Sequence, residues 1–328
     1  MPANLPPDYF AAEERYRKAK TAGEKIEALE EMFAVMPKHK GTDKLRADIR
    51  RRIAKHRDEA QQKKGTSKHK TAFSIDREGA AQVVVIGAPN AGKSSLVARL
   101  TKASPEVADF PHTTHKPTPG MASYENIQFQ LVDTPPLTRE YVDPLMGDLI
   151  RRADIVAILL DLRADPLQQL EDILGILAAF RIYPQGFPLP EALTKAPFIK
   201  RVLLVVNKMD GEKEKEDFET FRELAGISLP IVGISITGGI HLDLFMKTLY
   251  ELSGVIRVYT KSPGKEPDRG QPFVVPAGST LEELAAKIHK DFVEKLKYAK
   301  IWGRAVHDGQ MVHRDHIMQD GDIVEIHT

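Results

Sequence analysis

Val83-Val-Val-Ile-Gly-Ala-Pro-Asn-Ala-Gly-Lys-Ser-Ser95 opens on four β-branched residues and closes on a lysine and two serines. Within it, Gly87 to Ser94 fits G-x-x-x-x-G-K-[ST]. A buried strand runs into a loop whose backbone N–H groups wrap phosphates, and a helix begins with its positive dipole end facing them. Gly87 and Gly92 permit the turn, Lys93 reaches the β- and γ-phosphates, and Ser94 offers a hydroxyl to Mg²⁺. Asn90, Ala91 and Ser95 complete the stretch that would line the phosphates. An ordinary glycine-rich turn would carry the glycines without the strand before and the helix after.

Outward from this loop the texture repeats. Short apolar runs at Phe129–Val132, Ile155–Leu160, Val202–Val206 and Ile231–Ser235 are separated by helical segments. Such alternation predicts an α/β domain, with right-handed βαβ units and a mainly parallel sheet covered on both faces. Pro184 to Pro197, with four prolines, reads as a surface loop. Past Gly254 the order changes: Ile256–Tyr259, Phe273–Val275, a helix from Thr280 to Phe292, then Ile301–Trp302 and Ile323–Ile326 predict a small α+β domain. Upstream, Asp8 to Met36 has helix period. Pro37 and Gly41 then punctuate, Thr42 is a candidate N-cap, and Leu45, Ile49 and Ile53 seed a second helix, giving a helical hairpin. Gln61 to Lys70 reads as a polar linker. The expected domains are therefore 1–75, 76–254 and 255–328.

Three further motifs are spaced along the α/β region. Asn207-Lys208-Met209-Asp210 follows a strand, and a carboxylate at Asp210 accepts from N1–H and the 2-amino group of guanine, which adenine does not offer. Asn207 and the stem of Lys208 would brace that loop and the ring. Leu131-Val-Asp133-Thr-Pro-Pro136 ends a strand on a carboxylate placed to hold Mg²⁺ through water. Pro111-His-Thr-Thr114 offers a hydroxyl to Mg²⁺ and the γ-phosphate, and Ser235-Ile236-Thr237 offers backbone to guanine O6. Each alone would pass for a structural turn; their order makes a GTP/GDP site. An ATP-using kinase is disfavoured by Asn207 to Asp210.

With these motifs the chain resembles the Obg/DRG superfamily of translation-factor-class GTPases, and within it the developmentally regulated GTP-binding proteins. The likeness reaches beyond the nucleotide motifs. Ile256-Arg-Val-Tyr-Thr-Lys261, Lys297-Tyr-Ala-Lys-Ile-Trp-Gly303 and Asp320-Gly-Asp-Ile-Val-Glu325 resemble the TGS domain, a ubiquitin-like β-grasp module. The resemblance implies a P-loop NTPase G domain, with Lys93, Thr114 and Asp133 as the catalytic set, Thr114 in switch I and Asp133 in switch II. Mg²⁺ would be held by Ser94, Thr114 and Asp133, and K⁺ by Asn90, whose alternative role is that of a turn asparagine. Three departures stand out. Pro136 replaces a switch II glycine and has no N–H for the γ-phosphate. Leu137 stands where small GTPases place a water-orienting glutamine, so intrinsic hydrolysis should be slow. The domain that the developmentally regulated proteins insert into the G domain has no room between Val132 and Ile155.

Composition bounds the setting and the partners. The 328 residues include no cysteine, which excludes a disulfide framework and thiolate metal sites. The first thirty residues carry charges throughout, with no apolar signal core, and no apolar run approaches a membrane span; the expected location is cytoplasmic. Net charge is +1, yet Lys38 to Lys70 holds thirteen Lys and Arg against four acids, a local +9. Clustered cations release counterions from phosphate backbones, so Lys44, Arg50, Arg51, Arg52 and Lys55 are the candidate contacts to ribosomal or structured RNA. The TGS-like domain shares that expectation, and a regulatory protein partner fits the family. A solvated helix face is the plainer account of the charges. His307, His313 and His316 lack a helical i, i+4 pair and read as surface residues. Trp302 reads as half-buried in the C-terminal domain.

Overall fold

The computed structural model describes residues 6–19, 22–37, 42, 45–55, 73–101, 116–140, 142–191 and 193–328. Thr114, Lys44 and the Gln61–Lys70 linker lie outside them. The chain divides into two compact units, one ending at Ser74 and the other beginning at Ile75.

The first unit is helical. Where a hairpin of two helices was expected, the described residues form three: α1 (Pro7–Lys18), α2 (Ala22–Val35) and α3 (45–55). The expected first helix breaks because Ala19 leaves helical geometry, with ψ of 126°. Tyr9, Ala12, Leu29, Met32, Met36 and Ile49 form the core. The Thr42 hydroxyl donates to the Pro37 carbonyl at 2.6 Å, and the Thr42 carbonyl accepts from Arg46 N–H at 2.9 Å. Arg46 and Arg50 stack on the Phe33 ring at 4.1 and 4.9 Å from its centroid.

The second unit opens with a seven-stranded sheet in the order β2-β3-β1-β4-β6-β5, with β7 also on β6. The strands are β1 (Gln82–Gly87), β2 (Thr118–Tyr124), β3 (Ile127–Asp133), β4 (Ile155–Asp161), β5 (Ile182–Pro184), β6 (Phe198–Asn207) and β7 (Ile231–Gly233). Only β2 runs antiparallel, paired to β3 from Thr118 opposite Asp133 to Tyr124 opposite Ile127. β5 pairs with residues 198–200 of β6 and β7 with residues 204–206, so two short strands share one edge of a long one. β1 and β4 are buried at every position, as strands covered on both faces must be. The covering helices are α4 (Lys93–Leu100), α5 (Pro144–Arg152), α6 (Pro166–Ala179), α7 (Glu212–Ala225) and α8 (Leu242–Ser253). Local chemistry sets their starts: Asp143 caps α5 and Asp165 caps α6, each followed by proline. Between Asp133 and Pro144 there is no inserted domain.

The chain closes in a five-stranded sheet, β11-β10-β12-β8-β9, packed on α9 (Leu281–Ile288). Its strands are β8 (Val255–Thr260), β9 (Phe273–Pro276), β10 (Tyr298–Trp302), β11 (Gln310–Val312) and β12 (Ile323–His327). A capping box between Thr280 and Glu283 starts α9. The helix expected to reach Phe292 instead breaks at His289, whose Nδ1 accepts from Asp291 N–H and caps a short α10 (Lys290–Lys295).

The two sheets meet at the tip of the β2–β3 hairpin. Asn126 Nδ2 donates to Tyr259 Oη at 2.6 Å and to the Arg269 carbonyl at 3.3 Å, and Arg257 pairs with Glu125. Arg257 also donates to Asp320 at 2.9 and 3.2 Å and lies over the Tyr250 ring, 4.7 Å from its centroid.

Candidate nucleotide-binding site

Three strand ends converge at the C-terminal edge of the sheet: β1 into the loop Gly87–Ser94, β3 onto Asp133, and β6 onto Asn207. Loops at this edge are where an open α/β sheet holds ligands. The loop needs glycine at two places. A Cβ on Gly87 would lie 2.3 Å from the Leu159 carbonyl oxygen, and Gly92, at φ +102°, would place one 2.6 Å from Asn207 Nδ2. Asn90, at φ +60°, occupies the left-handed region that asparagine tolerates, and it is exposed.

Lys93 opens α4 and is 6% exposed. Its ammonium donates back to the carbonyls of Gly87 at 3.0 Å and Ala88 at 2.8 Å, spanning the loop it would use to hold phosphates. Burial lowers its pKa to about 8, against the opposing pull of Asp133. Ser94 and Ser95 are exposed in the first turn of α4. Ser94 Oγ donates to Asp133 Oδ2 at 2.7 Å, while Asp133 Oδ1 is buried with no hydrogen-bond partner among the described residues. A buried carboxylate oxygen without a donor beside a serine hydroxyl is the oxygen set that Mg²⁺ prefers. These two residues fit the ion.

Beyond Asp133 the chain turns back under the loop. Thr134 Oγ1 donates to the Val85 carbonyl at 2.7 Å, and Leu137 N–H donates to the Gly87 carbonyl at 3.0 Å. Pro136 is exposed, whereas Leu137 is 3% exposed.

The base-reading residues are tied to the phosphate loop. Asn207 Nδ2 donates to the Ala91 carbonyl at 2.9 Å, and Asn207 Oδ1 accepts from Ile236 N–H at 3.3 Å. One side chain therefore links the loop after β1 to the segment after β7. Ser235 Oγ donates to Asp210 Oδ1 and accepts from Gly238 N–H. Lys208, at φ +72°, is paired to Asp161 at the end of β4.

Three residues that sequence reading passed over complete this corner. Asp161 Oδ1 accepts from Arg163 N–H at 3.0 Å, and Arg163 Nη2 donates to Asp210 Oδ2 at 2.9 Å and to Glu214 Oε1 at 3.0 Å. The signal available for them was position alone: Asp161 ends β4, the strand neighbouring β6, and Arg163 comes two residues later. Among the described residues no group of three or more His, Asp or Glu is placed to hold a metal ion. His307 and His313 are exposed, and Trp302 is half-buried beneath Lys261, whose Nζ lies 4.0 Å from its ring centroid. Of the basic candidates, Arg50, Arg51, Arg52 and Lys55 are exposed on α3, Arg52 pairing with Asp48.

The geometry defines a P-loop GTP-binding protein, and comparison agrees. Residues 82–208 match the family described as 50S ribosome-binding GTPase, and residues 256–328 match the TGS domain. The chain thus carries a G domain followed by a TGS domain, and the proteins it resembles are GTP-binding proteins of the Obg/DRG type. It is 29% identical to an uncharacterized GTP-binding protein of Methanocaldococcus jannaschii over 363 aligned positions, covering 92% of each chain. It is 25% identical to developmentally-regulated GTP-binding protein 1 of Xenopus laevis, covering 92% of this chain and 98% of that one. In the first of these alignments about 302 residues of this chain spread over the 363 positions. Roughly sixty positions therefore have no residue here. Among solved structures, the Schizosaccharomyces pombe YchF GTPase shares the fold, with a TM-score of 0.54 at 13% identity over 77% of this chain and 99% of that one.

Proposed function

We propose that this GTP-binding protein is a Mg²⁺-dependent GTPase of low intrinsic rate that acts as a switch on ribosomes or structured RNA in the cytoplasm. The observation that carries the reading is the convergence of Lys93, the Ser94–Asp133 pair and Asp210 at one sheet edge. Lys93 would hold the β- and γ-phosphates, Ser94 and Asp133 would hold Mg²⁺ together with Thr114, and Asp210 would read guanine. When bound, Mg²⁺ supplies charge neutralisation at the phosphates. Low turnover follows from Leu137, an apolar side chain turned into the protein where a water-orienting group would be needed. The exposed cations Arg50, Arg51, Arg52 and Lys55 and the ribosome-binding description of the matching family support the RNA partner.

A second reading is favoured by Pro136, which cannot donate an N–H to the γ-phosphate: a nucleotide-stabilised RNA-binding adaptor with little or no turnover. One experiment separates the two. Affinities for GTP, GDP and ATP are measured with single-turnover GTP hydrolysis, in K⁺ and in Na⁺, with Lys93→Ala as control. Guanine-selective binding with hydrolysis abolished in the control supports the switch. Equal affinity for GTP and GDP without turnover selects the adaptor. Rates alike in K⁺ and Na⁺ leave Asn90 as a turn residue only. For RNA, the logarithm of affinity should fall steeply with the logarithm of salt; a flat line excludes direct phosphate contact.

A further inference from the structure

We propose that Arg163 is a positioning residue for guanine recognition: it fixes the plane of the Asp210 carboxylate so that the site selects purines carrying both N1–H and a 2-amino group. The inference rests on the reading of Asp210 as the guanine-binding carboxylate.

An ionised carboxylate offers about four lone-pair sites. At Asp210 the Ser235 hydroxyl takes one on Oδ1 and the Arg163 guanidinium takes one on Oδ2, at 2.9 Å. One site stays open on each oxygen, which is the number needed to accept from N1–H and from the 2-amino group together. Pinned at both oxygens, the carboxylate cannot turn about its Cβ–Cγ bond. Arg163 is itself held from two sides: Glu214 on α7 accepts from the same nitrogen at 3.0 Å, and the Arg163 backbone N–H is fixed by Asp161, which also pairs with Lys208. The Arg163 side chain is 53% exposed and that of Asp210 35%, so the arginine lies at the mouth of the corner, where its replacement disturbs no packed core. Both bonds leave one nitrogen whose two N–H directions are fixed by the guanidinium plane, whereas the hydrogens of an ammonium rotate.

The test uses the full chain with Mg²⁺ and compares GTP with ITP, which keeps N1–H but lacks the 2-amino group, and with ATP. Loss of a neighbouring positive charge, or general loosening, would weaken GTP and ITP alike, because both carry the same triphosphate. Loss of carboxylate positioning weakens the two-point ligand more than the one-point ligand. For Arg163→Ala the expected result is a loss of GTP affinity on the order of tenfold, about the worth of one charge-assisted hydrogen bond, with ITP little changed. Arg163→Lys should retain only part of the GTP-over-ITP preference. A GTP/ITP ratio unchanged in Arg163→Ala, or tighter GTP binding, overturns the proposal; the latter would make Arg163 a competitor of the base. Asp210→Asn keeps the two readings apart. If it too leaves guanine preference intact, the assignment of Asp210 fails and the role of Arg163 fails with it; if it abolishes the preference while Arg163→Ala does not, only the role of Arg163 fails.

Discussion

At the residue scale, Lys93 ties binding to pH. Its pKa is lowered to about 8 by burial, and phosphates favour the ammonium, so above that pH nucleotide binding must take up a proton. The affinity for GTP should be flat below about pH 8 and fall by up to tenfold per pH unit above it. Titrations between pH 7 and 9.5 read this directly, and Lys93→Arg, which stays charged throughout, should bind without the slope. Gly92 is a second single-residue constraint. Gly92→Ala would force a methyl to 2.6 Å from Asn207 Nδ2 at a backbone angle of +102° and push Asn207 off the Ala91 carbonyl. The expected cost is about 1–3 kcal/mol of stability, seen as a lower Tm, together with a loss of GTP affinity of at least tenfold.

At the scale of elements, the segment from Thr134 to Asp143 is pinned by the Thr134 and Leu137 hydrogen bonds to β1 and its loop. A glutamine restored at position 137 would therefore enter an apolar site. Leu137→Gln should destabilise by about 1–3 kcal/mol and leave single-turnover hydrolysis no faster; a clear acceleration would show that the side chain can reach the water. What sequence revealed at this scale follows from how each element is stabilised. β1, β4 and β6 gather their burial from consecutive apolar residues, so composition marks them. β7 lies within the apolar run Ile231–Ser235 and was legible too, whereas β2, Thr-Pro-Gly-Met-Ala-Ser-Tyr, and the three-residue β5 and β11 exist through pairing to a neighbour, which no local pattern carries. The breaks after Lys18 and at His289 are set by backbone angles within helix-favouring sequence. The phosphate and base motifs were legible because their chemistry is local. Arg163 was not, because its partners Asp210 and Glu214 stand 47 and 51 residues away.

At the scale of the second unit as a whole, the β2–β3 hairpin has its two ends in different business. At one end Thr118 pairs with Asp133, the proposed Mg²⁺ ligand; at the other, Glu125 and Asn126 hold Arg257 and Tyr259 of the TGS sheet. Arg257 is the hub, 14% exposed and shared among Glu125, Asp320 and the Tyr250 ring. Burial would raise the Asp320 pKa, yet its bonds to Arg257 and Tyr250 hold it below the ordinary carboxylate value, and the Tyr250 hydroxyl is raised by burial and by Asp320. A carboxylate with a depressed folded-state pKa contributes stability that is present above its unfolded pKa and lost as pH falls through the folded one. The junction should therefore be intact at neutral pH and loosen in acid below the normal carboxylate range. Hydrogen exchange reads the junction locally. Arg257→Ala should speed exchange at the tip of β2–β3 and along β8 at neutral pH, where the unaltered protein does so only in acid, and should lower stability by about 1–3 kcal/mol, since Glu125 and Asp320 keep some water contact. Exchange in β4 and in residues 202–207 of β6, which are buried and far in the pairing order from the hairpin tip, should stay slow. If the hairpin tip and β8 exchange at the same rate with and without Arg257, the junction is held by Asn126, Tyr259 and the Tyr124–Tyr250 ring contact rather than by charge.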